Sequence, residues 1–128
     1  MTEDLVKKAF GALSRAYAPY SDFRVGAALL TTGGEVFLGC NVENVSLGLT
    51  MCAERVAVGA AVQAGATSLE RIVIAADTKE PIVPCGACRQ VLAEFRPDLP
   101  IISATADGKV IEFSLETLLP RPRQGILE

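Results

Sequence analysis

Arg71-Ile72-Val73-Ile74-Ala75-Ala76, followed by a loop marked by Pro81 and by Pro84-Cys85-Gly86-Ala87-Cys88, decides how this chain folds. Ile72 to Ala76 is an unbroken apolar run, as expected of a buried and parallel strand whose two faces are both covered. The helix expected over Cys85 to Phe95 begins with Pro84 in position for its first turn. A strand feeding a helix in this way belongs to a layered α/β domain. Pro100 to Thr105, the Asp107-Gly108 turn and Val110 to Phe113 read as a hairpin. Phe23 to Leu30, Thr32-Gly33-Gly34 and Val36 to Cys40 read as another.

Helices complete the pattern. From Glu3 to Tyr17 the apolar residues recur at helical spacing, with Thr2 as a cap, acids in the first turn and Pro19 as the stop. Asn41 to Thr50 reads as a loop, and Cys52 to Ala64 as a helix closed by Gly65. Ser114 is suited to cap a short last helix that Pro120 and Pro122 end. The order α-β-β-α-β-α-β-β-α predicts a three-layer α-β-α sandwich around a mixed five-stranded sheet, with residues 1–128 forming one domain. After Arg55 the second helix is apolar on nearly all sides, which predicts that one face packs on another subunit, with Gly59 allowing close approach.

Composition narrows the chemistry. Half of the 128 residues are apolar and the formal net charge is −3. No basic face is evident, so a nucleic-acid partner is not expected and a small molecule is. The acidic start lacks the layout of a signal peptide, and no apolar run reaches the roughly 18 residues of a membrane span. A cytoplasmic protein without membrane contact is expected, and its four cysteines then favour metal ligation or catalysis over disulfides. With no histidine in the chain, any metal must rest on thiolate or carboxylate.

Three cysteines fall at two helix starts. Cys85 and Cys88 lie three apart, on one face of a first turn. Cys52 opens the other helix, and helix N-termini favour the thiolate form that zinc requires. Three protein ligands leave one tetrahedral position for water, as in catalytic zinc sites. Glu54, two residues after Cys52, is a carboxylate near the metal that need not bind it. On these residues alone, buried inert cysteines and an ordinary first-turn acid are the plainer alternatives. Cys40 reads as a buried, inert thiol.

A ligand-x-Glu segment followed about 30 residues later by Pro-Cys-x-x-Cys resembles the zinc deaminases, in which a three-Cys ligand set occurs. The chain as a whole resembles the homotetrameric cytidine deaminases over nearly its full length. The resemblance is carried by Pro19-Tyr20-Ser21, Phe23-Arg24-Val25-Gly26-Ala27-Ala28-Leu29, Gly39-Cys40-Asn41-Val42-Glu43-Asn44, Cys52-Ala53-Glu54-Arg55, Pro84-Cys85-Gly86-Ala87-Cys88-Arg89-Gln90-Val91 and Leu118-Leu119-Pro120.

The resemblance implies hydrolytic deamination of cytidine and deoxycytidine to uridine and deoxyuridine plus ammonia, in pyrimidine salvage, by a tetramer with one Zn²⁺ per subunit. Cys52, Cys85 and Cys88 would hold zinc, and Glu54 would shuttle the proton. Asn41 and Glu43 would hold ribose hydroxyls, Phe23 would lie against the nucleoside, and backbone around Ala53 and Cys85 would meet the base. Arg55 would offset the thiolate charge, with Gln90 orienting it. Read without the resemblance, Asn41 and Glu43 are also ordinary loop residues, Arg55 a surface charge and Phe23 a core residue. Leu47 and Arg123 stand where the family usually has aromatic residues, which leaves room for a modified aminopyrimidine nucleoside, as in enzymes resembling blasticidin S deaminase. A non-catalytic zinc-stabilised module, with Cys40 as fourth ligand, is the alternative from outside enzymology.

Overall fold

The computed structural model describes residues 2–123. Its elements run α1 (Thr2–Leu13), β1 (Val25–Thr31), β2 (Val36–Cys40), a 3₁₀ turn (Leu47–Leu49), α2 (Ala53–Gln63), β3 (Leu69–Ala76), α3 (Gly86–Phe95), β4 (Pro100–Thr105), β5 (Val110–Ser114) and α4 (Leu115–Leu118). The strands form one mixed sheet in the order β2-β1-β3-β4-β5. β3 pairs parallel with β4, as its apolar run predicted, but antiparallel with β1.

The burial pattern follows position in the sheet. β1 is buried along all seven residues, because helices cover both faces of this inner strand. Edge strands β2 and β5 are half-exposed. On one face α1 packs Leu5 and Ala9 against Ala28, Leu30, Val73, Ala75 and Ile102. On the other, Ala53, Ala57 and Ala61 of α2 and Leu92 of α3 pack against Ala27, Leu29, Ile72, Ile74 and Ile101. The α-β-α sandwich expected from the element order is thus present.

Two glycines let the layers approach closely. A methyl group at Gly39 of β2 would stand 2.2 Å from the Ala53 carbonyl oxygen and 2.6 Å from the Ala57 nitrogen of α2. At Gly26 of β1 it would stand 2.0 Å from the Ala9 carbonyl oxygen of α1. Gly39 therefore sets the height at which the first turn of α2 rides over the sheet. Gly65 closes α2 with a φ of +90°, a conformation that needs glycine.

Several local expectations are corrected. α1 ends at Leu13 rather than Tyr17, because the Tyr17 backbone is engaged elsewhere: its N–H donates to Asn41 O and its carbonyl accepts from Glu43 N. Thr2 lies within α1 and its hydroxyl accepts from Arg71. Ser114 occupies the cap position of α4 without a side-chain capping bond. The loop after Asn41 contains the short 3₁₀ turn. Among the described residues, no helix is long and apolar enough to cross a membrane.

Candidate active site

The two cysteine-bearing helix starts meet beside the sheet. Cys52 and Cys85 occupy the N-cap positions of α2 and α3 with extended backbone, and their carbonyls accept the first helical bonds from Val56 and Arg89. Cys88 lies in the first turn of α3, fully buried. The three sulfurs lie within 4.8 Å of one another. Zinc bound tetrahedrally at about 2.3 Å from each sulfur requires sulfur–sulfur separations of about 3.8 Å. The Cys52 and Cys85 sulfurs stand 3.7 Å apart, so the donor set fits zinc in chemistry and in spacing.

The charge on this cluster is already organised. A hydrogen bond from the Cys88 thiol, aided by Arg55 and Cys85, holds the Cys52 thiol down to about 5. Cys88 is pushed well up, first by sharing its proton with Cys52 and then by burial. Arg55 donates from one terminal nitrogen to the Thr50 carbonyl at 3.2 Å and to the Cys52 sulfur at 3.5 Å. Its guanidinium thus meets the Cys52 thiolate directly. Gln90 does not meet Arg55 through its amide nitrogen; that group donates to the Pro122 carbonyl at 3.2 Å, so the orienting role expected of it is replaced by a tie to the C-terminal segment.

Glu54 projects from the first turn of α2 into the same region and is 3% exposed. Burial raises its carboxyl pKa to about 7, and the Cys52 charge adds to the rise, while its own backbone amide and Arg55 oppose it. A buried carboxyl at this pKa can both take and return a proton near neutrality.

A cavity of about 220 Å³ opens over these groups, walled by Phe23, Asn41, Glu43, Cys52, Ala53, Glu54 and Cys85, with Val25, Thr50, Ile82 and Val83 completing it. It is smaller than the roughly 300–1,000 Å³ of sites for drug-sized ligands, a size that suits one small molecule. Asn41 is buried, accepting from Val25 N at 2.9 Å and donating to Phe23 O at 2.7 Å. The Glu43 carboxylate accepts from the Tyr20 and Ser21 amides at 2.9 and 3.1 Å and from the Ser21 hydroxyl. The Phe23 side chain is 45% exposed, on the cavity wall rather than in the core.

Every cavity residue expected from the sequence is therefore assembled at one place. Val25, quoted within a motif but read only as strand, was not expected on the wall, nor were Thr50, Ile82 and Val83, which are apolar or small residues outside any motif. Arg89 was also missed: it donates to the Pro84 carbonyl at 2.7 Å and to the Leu118 carbonyl at 3.1 Å, bracing the loop that carries Cys85. Leu47 and Arg123 do not line this cavity within one chain. Cys40 is half-buried and stands apart, in a cavity of about 350 Å³ walled by Lys8, Ala12, Arg15 and Leu38, so it does not join the sulfur cluster.

A layered α/β sheet carrying three convergent cysteine sulfurs and a buried carboxyl over an open cavity defines a zinc hydrolase of the deaminase class. The family described as the cytidine and deoxycytidylate deaminase zinc-binding region matches residues 1–104. Cytidine deaminase from Halalkalibacterium halodurans is 48% identical over 117 residues, covering 91% of this chain and 89% of that protein. The enzyme of the same name from Sporosarcina psychrophila is 44% identical, covering 92% and 88%. Among solved structures, cytidine deaminase from Burkholderia pseudomallei superposes with a TM-score of 0.91 at 46% identity, over 94% of this chain and 98% of that one. The chain belongs to the zinc-binding cytidine and deoxycytidylate deaminase family.

Proposed function

We propose that this chain hydrolyses cytidine and deoxycytidine to uridine and deoxyuridine, releasing ammonia. The observation that carries this reading is the convergence of three cysteine sulfurs beside a buried carboxyl, in a cavity that also holds Asn41 and Glu43.

Cys52, Cys85 and Cys88 hold one zinc per subunit as thiolates. When bound, zinc acts as a Lewis acid that lowers the pKa of the attacking water from 15.7 toward roughly 7. Glu54 takes a proton from that water and delivers it to ring N3 as the water oxygen bonds to C4. It then takes the second proton from the new C4 hydroxyl and hands it to the departing amine as the C4–N bond breaks, so cytidine and water become uridine and ammonia. Three thiolates on a divalent ion leave a net charge of −1, and Arg55 offsets it through the Cys52 sulfur.

Asn41 and Glu43 suit a ribose hydroxyl by polarity. After its bonds to Phe23 O and Val25 N, Asn41 retains one N–H to donate. Glu43, ionised, can only accept. One sugar hydroxyl can accept from the first and donate to the second. Phe23 supplies an apolar wall for the nucleoside, and backbone at Ala53 and Cys85 faces the polar edge of the base.

We read residues 1–128 as one domain that works as a homo-oligomer, a tetramer by family resemblance. Support comes from exposed apolar residues on the loop beside the site, with Val45 78%, Leu47 72% and Leu49 66% exposed. On α2, Val62 is likewise exposed, and among the described residues nothing beyond the local helix would lie within 4 Å of a methyl group at Gly59. A cytoplasmic location, away from nucleic acid and membrane, is in keeping with four free thiols and acidic net charge.

The test is incubation of zinc-loaded protein with cytidine, deoxycytidine, cytosine and an aminopyrimidine nucleoside modified on its sugar. The two plain nucleosides are expected to lose their ultraviolet absorbance with equimolar release of ammonia. Turnover of the modified nucleoside alone would reassign the substrate, and absence of turnover on all four would overturn the reading.

A further inference from the structure

The groups proposed to hold the nucleoside are not independent of one another. The Ser21 hydroxyl donates to Glu43 Oε2, while the Ser21 amide donates to Glu43 Oε1 at 3.1 Å. The same hydroxyl oxygen accepts from the Phe23 amide at 2.9 Å. The Phe23 carbonyl in turn accepts from Asn41 Nδ2 at 2.7 Å. Two residues along the chain from Asn41 stands Glu43, which closes a ring: Glu43, Ser21, Phe23, Asn41.

Only one member of that ring, Ser21, lies off the cavity wall, on an exposed loop before the positive-φ residue Asp22. Its hydroxyl is both donor and acceptor, and it is used both ways. Removing it would free one carboxylate oxygen of Glu43 to rotate and leave the Phe23 amide without its partner. With the hydroxyl in place, Glu43 Oε1 takes two backbone amides and Oε2 takes Ser21, so the carboxylate has one orientation. The lone pair that remains on Oε2 can then be offered to a ligand in a fixed direction.

We propose that Ser21 is a positioning residue for nucleoside binding, its hydroxyl fixing the Glu43 carboxylate and the Phe23 backbone as one rigid sugar-side wall. The inference rests on the reading of Glu43 and Asn41 as the ribose-holding pair. Ser21 is remote from the sulfur cluster in the bonding pattern, so the chemical step does not depend on it. Its effect belongs in KM rather than kcat, because a loosened wall weakens binding of substrate and transition state alike. The depressed titration of Glu43, whose first cause is the Ser21 hydroxyl, agrees with this geometry.

The experiment compares Ser21→Ala and Ser21→Thr with the unmodified, zinc-loaded protein. Steady-state kinetics on cytidine is the first readout; carboxyl ¹³C NMR titration of Glu43 without nucleoside is the second. For Ser21→Ala we expect KM to rise roughly tenfold, the factor for losing about 1.4 kcal/mol of binding, with kcat within twofold. The Glu43 midpoint is expected to move up, and Ser21→Thr to restore both values. The inference is overturned by a KM within twofold of the unmodified protein, by an unmoved Glu43 midpoint, or by a fall in kcat that Ser21→Thr does not rescue. If the unmodified protein fails to turn over cytidine, the functional reading falls, while the Glu43 titration still decides whether Ser21 governs that carboxylate.

Discussion

Glu54 carries a burden that its neighbours do not. Its carboxyl is buried at the positive end of α2, where burial outweighs the helix and holds it near neutrality. Glu54→Gln keeps the shape and removes the proton traffic. It is expected to keep its zinc while losing about 10²–10⁴ in kcat, the usual range for general acid–base catalysis. Metal analysis and turnover on the same sample check this, and near-normal turnover would remove Glu54 from the mechanism. Glu43 is the opposite case, its hydrogen bonds holding it below the ordinary 4.5. A carboxyl depressed in the folded state adds stability that is complete above its unfolded pKa and is lost as pH falls through the folded value. Acid unfolding of Glu43→Gln is therefore expected to show a shallower loss below pH 4.5 than that of the unmodified chain. The sulfur cluster and Glu54 were legible in the sequence because each helix-start motif is local and the two motifs, although Cys52 and Cys85 lie 33 positions apart, together resemble the zinc deaminases. Ser21 and Arg89 were not, since their partners Glu43 and Leu118 lie 22 and 29 positions away and only the fold brings them close.

Element by element, the site depends on how low α2 sits on the sheet. The Ala53 and Ala57 backbone rests on Gly39, with no room for a methyl group between them. Gly39→Ala would lift the first turn of α2, and with it Cys52 and Glu54, away from the loop that holds Cys85. Overpacking of this kind costs about 1–3 kcal/mol. The expected result is a lowered unfolding midpoint together with weaker zinc retention against a chelator, and unchanged retention would show that the helix height is immaterial. Strands with continuous apolar runs were readable because both faces are covered, and β2, β4 and α3 fall where hydrophobic pattern and proline set them. The end of α1 was not readable. Tyr17 has helical spacing, yet its backbone pairs with Asn41 and Glu43, a tertiary demand that local propensity does not register.

For the molecule as a whole, the distribution of apolar surface matters most. Val45, Leu47 and Leu49 stand exposed on the loop that leads into Cys52, close in sequence to the sulfur cluster. Large exposed apolar residues near one another on a small domain are a signal for association, and the proposed oligomer would use this loop. Light scattering is expected to report an oligomer, and Leu49→Glu to shift it toward smaller species. A monomer at micromolar concentration would refute that reading. The apolar character of α2 beyond Arg55 was the sequence signal for association, and Val62 on that helix is exposed.

The proposed reaction requires a metal with three sulfur ligands and one position left for water. Zinc K-edge X-ray absorption on the loaded protein tests this directly. Three sulfurs at about 2.3 Å and one lighter oxygen or nitrogen scatterer are predicted; a shell of four sulfurs would close the reactive position and contradict the account.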